Sequence, residues 1–310
     1  MIVILGPTAS GKTALAAHLA YALDGEVISA DSRQVYRGMS IGTGKDLSEY
    51  TVNGKNVPYH LIDIADPGYE YNIFEFQQDF LKAYNDIISR GKLPVLCGGS
   101  GMYLESVLKK YRLKKTEPCL KTHEALFQKT DEELKDLLLS LKTPHNTTDL
   151  LDRKRMIRAI QINMTPDEKT GDVIFPEQMP FLIFGIHWER ALLRERITTR
   201  LQTRLEQGMI EEVRELLIRG LTADQVKFYG LEYYYITLYL EQKLDYNEMF
   251  RLLNIAIHQF AKRQMTWFRK MEKSGLTIHW ISGKKNIDEK IKEVNMVLKS
   301  KKDWGDLDIV

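Results

Sequence analysis

Eight residues near the amino terminus, Gly6-Pro7-Thr8-Ala9-Ser10-Gly11-Lys12-Thr13, constrain this chain more than any others. They follow the pattern G-x-x-x-x-G-K-[ST], in which backbone N–H groups and a helix N-terminus surround one anion. The pattern carries meaning only between a buried strand and a helix. Residues 1–5 are a short apolar run and residues 14–20 are good helix formers, so both flanks are present. Lys12 is placed to neutralise terminal phosphates, and the Thr13 hydroxyl to ligate Mg²⁺. The chain is expected to bind a di- or triphosphate-like group.

Strands and helices then alternate. A second strand is expected at residues 26–30, ending at Asp31 and neighbouring the strand of the phosphate loop. Residues 32–45 form a loop with three glycines (Gly38, Gly42, Gly44) and three basic residues (Arg33, Arg37, Lys45). Residues 57–64 read as extended, 73–90 as a helix closed by Gly91, and 93–97 as a buried strand opening into Gly98-Gly99-Ser100-Gly101. Residues 102–110 are again helical. This order predicts an α/β fold of the P-loop NTPase-like kind, a parallel sheet flanked by helices, with ligands at the carboxyl ends of the strands. From about residue 113 the chain carries charges and helical leucine spacing without a convincing strand, until residues 181–186 resume the sheet. The expected division is a core domain of residues 1–112 and 179–310 with a helical insertion domain of residues 113–178. Beyond it, helices are expected over 189–219, 229–240 and 246–273, and a last strand at 276–281.

Composition serves mainly to exclude. A net charge of +2 over 310 residues is too small to announce a nucleic-acid binder, so any such surface must be local. No charged-then-apolar leader precedes the first strand, and no apolar run approaches the roughly 20 residues of a membrane helix. Cys97 and Cys119 offer neither a disulfide framework nor a metal-ligand spacing. The expectation is a cytoplasmic protein without membrane attachment.

Asp31, at a strand end, can hold Mg²⁺ or take a proton from a nucleophile. A hydrolytic motor also needs an acid at the end of a second strand, but the strand at 93–97 ends in glycines, leaving Asp63 as the other candidate. That favours a group transfer in which the phosphate chain leaves or donates. Basic residues cluster at Arg33, Arg37 and Lys45; at Arg153, Lys154, Arg155 and Arg158; and at Lys262, Arg263, Arg269, Lys270 and Lys273. Interleaved aromatics such as Tyr36, Phe260, Trp267 and Phe268 suit a polyanion groove, although Trp267 and Phe268 serve equally as core.

Taken together these residues resemble the tRNA dimethylallyltransferase family over nearly the whole chain. The resemblance rests on Gly6–Thr13, on 31–39 (DSRQVYRGM), on 60–64 (HLIDI), on 98–103 (GGSGMY), on 152–155 with 157–159, and on 261–268 (AKRQMTWF). The resemblance implies transfer of a dimethylallyl group from dimethylallyl diphosphate to N6 of an adenine next to the anticodon, with Mg²⁺ as cofactor. Gly6 to Thr13 would hold the diphosphate, and Asp31 would act as general base on the amine with Lys12, Thr13 and Lys227 serving the leaving group. A carboxylate is a weak base, so it takes the proton only once the amine gains positive charge. Asp31, Ser32, Arg33, Gln34 and Ser100 would meet the tRNA at the flipped base, and Lys121, Lys154, Arg155 and Arg158 would grip its anticodon stem. The expected partners are a tRNA anticodon stem-loop and dimethylallyl diphosphate, and the expected state is a monomer.

The chain departs from the family at several points. Lys227 stands where an arginine is usual, Leu231 where a tyrosine is usual, and Ser100 where threonine is usual. Ser40 and Gly44 replace aspartate and alanine, and Ile257-His258-Gln259 replaces Thr-Arg-Gln. Three other readings stand beside the main one: an adenylate isopentenyltransferase acting on free nucleotide, a small-molecule P-loop kinase, and a catalytically weakened tRNA-binding paralogue.

Overall fold

The computed structural model describes residues 1–113, 120–141, 150, 152–164 and 173–301, with 120–123 by backbone alone. Strand β1 (Ile2–Leu5) and helix α1 (Lys12–Ala22) flank the glycine loop, followed by β2 (Gly25–Ser29). A small antiparallel hairpin, β3 (Thr51–Val52) and β4 (Lys55–Asn56), turns at Asn53-Gly54 with both residues at positive φ. Next come β5 (Tyr59–His60), α2 (Ile73–Ser89), β6 (Leu93–Gly98) and α3 (Gly101–Leu108). Helices α4 (Leu120–Phe127), α5 (Asp131–Leu141) and α6 (Arg153–Met164) precede β7 (Leu182–His187). The remainder is α7 (Arg190–Glu206), α8 (Met209–Ile218), α9 (Ala223–Phe228), α10 (Leu231–Leu240), α11 (Tyr246–Lys273), β8 (Ile278–Ser282) and α12 (Ile287–Lys299).

Six strands form one parallel sheet in the order β5-β2-β6-β1-β7-β8. This corrects one expectation: β6, not β2, lies beside β1 on that side. The crossover through α1 skips one position, and the later β6 fills the slot with Leu5 opposite Gly98 and Ser29 opposite Cys97. Of the extended stretch 57–64 only Tyr59–His60 pairs, because Leu61 and Asp63 adopt positive φ. The helix expected over 189–219 breaks at Gly208 (φ 98°), and that expected over 229–240 starts at Leu231 because Gly230 (φ 139°) is not helical.

The chain divides into two compact units, Met1–Lys110 with Phe175–Val310, and Tyr111–Ile174. In the first, Ile2, Ile4, Val95 and Phe184 of the sheet pack against Leu15 and Leu19 of α1 and Val294 and Leu298 of α12. A second core in the same unit gathers Leu201, Met209, Val213, Tyr233 and Leu253 of α7, α8, α10 and α11 around Val35, Tyr36 and Met39. The second unit has its own centre of Leu126, Leu134, Leu138, Met156, Ile157 and Ile160. Among the described residues no helix is long and apolar enough to cross a membrane.

Candidate active site

The loop 6–13 has the shape that its glycines demand. Ala9 (φ 60°) and Gly11 (φ 83°) are left-handed, which turns the chain back onto the start of α1. A Cβ on Gly6 would lie 2.7 Å from Ser10 Oγ and 3.2 Å from the Ile186 carbonyl, so only glycine fits there. No side chain caps α1 through its N-cap residue, and the buried Ser10 Oγ has no hydrogen-bond partner among the described residues. Burial pushes the half-buried Lys12 ammonium below its usual pKa, while Asp31 and Glu49 are close enough to pull the other way. The ammonium donates to the Pro7 carbonyl at 3.4 Å. An uncapped helix start, an orphan hydroxyl and a desolvated lysine are the donor set of an anion site.

Residues distant in sequence hold this cradle in place. Gln264 of α11 accepts from the Thr8 N–H at 2.9 Å and donates through Nε2 to the Gly99 carbonyl at 2.9 Å. It thus ties the loop after β1 to the loop after β6, and Gly99 is needed there because a Cβ would meet Gln264 Nε2 at 2.5 Å. Trp188 donates to the Ser10 carbonyl at 3.1 Å and Arg196 Nε to the Ala9 carbonyl at 3.0 Å, with the guanidinium 4.3 Å from the Trp188 ring centroid. The sequence reading missed Gln264 and Arg196 as site residues. The 261–268 motif hinted at the first, and arginines at 196, 200 and 204, one helical turn apart, hinted at the second.

Asp31 follows β2 and reaches the same end of the sheet. Its Oδ1 accepts from the Arg33 N–H at 3.0 Å. The Ser32 N–H donates to Ser100 Oγ at 3.1 Å, joining the two loops. A Cβ on Gly98 would lie 2.2 Å from the Ala30 carbonyl, which is why the strand beside Asp31 ends in glycine. Asp31, Ser32, Ser100 and Lys12 are therefore brought to one edge. Glu49 joins them from a short 3₁₀ turn (Leu47–Tyr50) ahead of β3, and burial raises its pKa while the Arg200 and Lys12 charges pull it down. It too was missed, since nothing in the sequence links it to α1. For a divalent ion accompanying a phosphate, the Thr13 hydroxyl at the start of α1 is a fitting oxygen donor, with the Glu49 carboxylate near Lys12.

Other expected residues have different work. The Gln34 amide is spent internally, accepting from Ser29 Oγ at 3.0 Å and donating to the Gly44 carbonyl at 3.0 Å. Lys45, grouped by sequence with surface cations, is fully buried and paired with Asp63, which also takes Asp63 out of contention as a free acid. Lys227 lies 2.9 Å from Glu241 and 3.6 Å from Asp224, and the bond to Glu241 raises its pKa. Beside Thr8 and Ala9 the recess is instead lined by Arg200, Arg204 and Glu232, with both arginines paired to Asp46. Phe268 is core, and Trp267 packs against Gly101.

In the second unit Arg153 is an anchor rather than a surface cation: it pairs with Asp131 and donates to the Phe127 carbonyl at 2.7 Å. Lys154 and Arg155 are exposed on α6, and Arg158 is half-buried. The Lys121 side chain lies outside the described residues.

Residues 34–271 match the sequence profile of the family described as IPP transferase, and residues 1–59 that described as isopentenyl transferase. The chain is 56% identical over 303 residues to tRNA dimethylallyltransferase 2 of Bacteroides fragilis, covering 96% of this chain and 98% of that one. The crystal structure of the full-length tRNA isopentenylpyrophosphate transferase of Bacillus halodurans aligns with a TM-score of 0.69 at 31% identity, over 96% of this chain and 95% of that one. A eukaryotic dimethylallyltransferase captured acting on tRNA shares the fold, with a TM-score of 0.76 at 21% identity over 97% and 79% of the two chains.

Proposed function

This chain belongs to the IPP transferase family, and from that premise we propose that it moves a dimethylallyl group from dimethylallyl diphosphate to N6 of the adenine next to the anticodon of tRNA. The observation that carries this reading is the convergence of an anion cradle (Lys12, Ser10 and the start of α1) with Asp31, Ser32 and Ser100 at one sheet edge. The N6–C1 bond forms as the C1–O bond to the diphosphate breaks. The amine proton passes to the Asp31 carboxylate, and the bonding pair leaves on pyrophosphate. Lys12 and the loop N–H groups stabilise that departing charge, the kind of electrostatic support that usually dominates such steps. Thr13 would hold Mg²⁺ at the start of α1, with the Glu49 carboxylate near Lys12, and the ion when bound would add positive charge toward the leaving oxygens.

Lys227 reaches the diphosphate only by leaving Glu241 and Asp224, so Arg196 of α7, which already holds the Ala9 carbonyl of the loop, is better placed to supplement Lys12. Gln34 supports the 31–45 loop and acts on the RNA through Asp31 and Ser32. Ser32, Arg33 and Ser100 meet the extruded base region. Lys121, Lys154, Arg155 and Arg158 supply the stem grip, a task that a free nucleotide would not require.

Nucleoside mass spectrometry of tRNA incubated with the protein and dimethylallyl diphosphate tests this. The expected result is isopentenylated adenosine with stoichiometric pyrophosphate. Product on AMP alone would transfer the assignment to free nucleotide. ATP consumption with unmodified tRNA would make the protein a kinase.

A further inference from the structure

Phe228 has no task in the mechanism above, yet it occupies a telling place. It ends α9 with 44% of its surface exposed. The Arg33 guanidinium carbon lies 5.0 Å from its ring centroid. Arg33 is the residue whose backbone N–H is bonded to the Asp31 carboxylate, so its side chain links the exposed ring to the turn that carries the base. The ring is also well supported. Tyr229 meets it edge-on at 5.6 Å and meets Tyr36 at 4.6 Å. The Tyr229 hydroxyl accepts from the Gly68 N–H, and the Tyr36 hydroxyl accepts from the Tyr71 N–H at 3.1 Å. This ladder descends from the surface to Tyr36, which is 1% exposed, and fixes the height of Phe228.

A rigid, half-exposed aromatic face with a guanidinium against it costs free energy in water and matches what an unpaired nucleobase stacks upon. Extruding the adenine leaves its loop neighbours unstacked, and a protein surface that restacks one of them lowers the cost of extrusion. We propose that Phe228 and Arg33 form a stacking step for an anticodon-loop base adjoining the adenine presented to Asp31. This rests on the transfer reading given above and adds to it a specificity contact with the flanking nucleotide. No charge on Phe228 is involved, so the step favours bases by their stacking strength over their hydrogen-bonding edges.

The test compares wild-type protein with Phe228→Ala, Phe228→Leu and Phe228→Trp in steady-state transfer to an anticodon stem-loop, alongside stem-loops carrying 2-aminopurine or an abasic site beside the target adenine. Phe228→Ala and Phe228→Leu are expected to raise the KM for RNA roughly 5- to 100-fold, the range for one stacked base, with the KM for dimethylallyl diphosphate unchanged. Phe228→Trp should stay near wild type. Fluorescence quenching of 2-aminopurine on binding should vanish in the Ala and Leu variants, and the abasic stem-loop should bring wild type down to the Ala variant. A Leu variant that keeps both wild-type KM and quenching would make the ring mere packing for Arg33 and overturn the proposal. Wild-type protein that fails to modify any stem-loop would remove the transfer reading itself, a result separable from the first.

Discussion

Asp31 is aimed by its surroundings: its carboxylate takes the Arg33 N–H, while Ser32 is tied to Ser100 across the neighbouring loop. Replacing it with alanine removes the proton acceptor but none of the groups that hold the anion. Asp31→Ala should therefore lower kcat by about 10²–10⁴-fold with the KM for dimethylallyl diphosphate little changed, as steady-state kinetics will show. An undiminished kcat would end its role as base. At this scale local motifs in the residue order put Lys12, Thr13 and Asp31 at the same end of the sheet. That order gave no sign of the internal partners of Lys45, Gln34 and Lys227. Whether a polar side chain faces open space or another buried group depends on what packs over it, and Gly44, Asp63 and Glu241 lie 10 or more residues from the side chains they engage, too far to leave a local sign.

At the scale of elements, the segment 38–45 is shaped by helices that follow it by more than 150 residues. Glu212 of α8 accepts from the N–H groups of Ser40, Ile41 and Gly42 at 2.7–2.9 Å and from the Tyr233 hydroxyl at 2.6 Å. Arg204 of α7 lies across Gly44, where a Cβ would come within 2.2 Å of its guanidinium, and the Gly44 φ is +70°. That accounts for glycine at a position where the family resemblance led one to expect alanine. Gly44→Ala should cost about 1–3 kcal/mol in urea unfolding, the usual range for a side chain forced into left-handed backbone. Combining it with Arg204→Met should relieve the steric share, so the two effects should fall short of additivity. Additive losses would show that the guanidinium swings aside freely. The hairpin β3–β4 was signalled by Asn53-Gly54, a pair suited to tight hairpin turns, though its strands are too short to register as periodic.

For the whole molecule, the proposal assigns the chemistry and the extruded base region to the first compact unit and the stem grip to the second. Exposed cations act on RNA mainly through phosphates, so their removal should be read in salt dependence. Replacing Lys154, Arg155 and Arg158 together with alanine should weaken tRNA binding and leave donor KM unchanged. The log–log salt slope should flatten by about one unit for each RNA phosphate that the variant no longer neutralises. Unaltered tRNA affinity in filter binding across salt concentrations would make α6 solvated surface only.

The residue order by itself determined the anion cradle, the alternation of strand and helix, and the helices Leu120–Phe127, Asp131–Leu141 and Arg153–Met164. Each of these is a property of contiguous residues, where a buried run, a glycine turn and a helix start enforce one another. The tertiary structure alone decided which loops share the cradle's edge. Inserting β6 between β2 and β1 placed Gly98 and Gly99 between Asp31 and Lys12, and Gln264 could then bridge Thr8 to Gly99 from a helix near the chain's far end. Parallel strands are joined only through long crossovers, so the partners that meet at their carboxyl ends are necessarily remote in sequence.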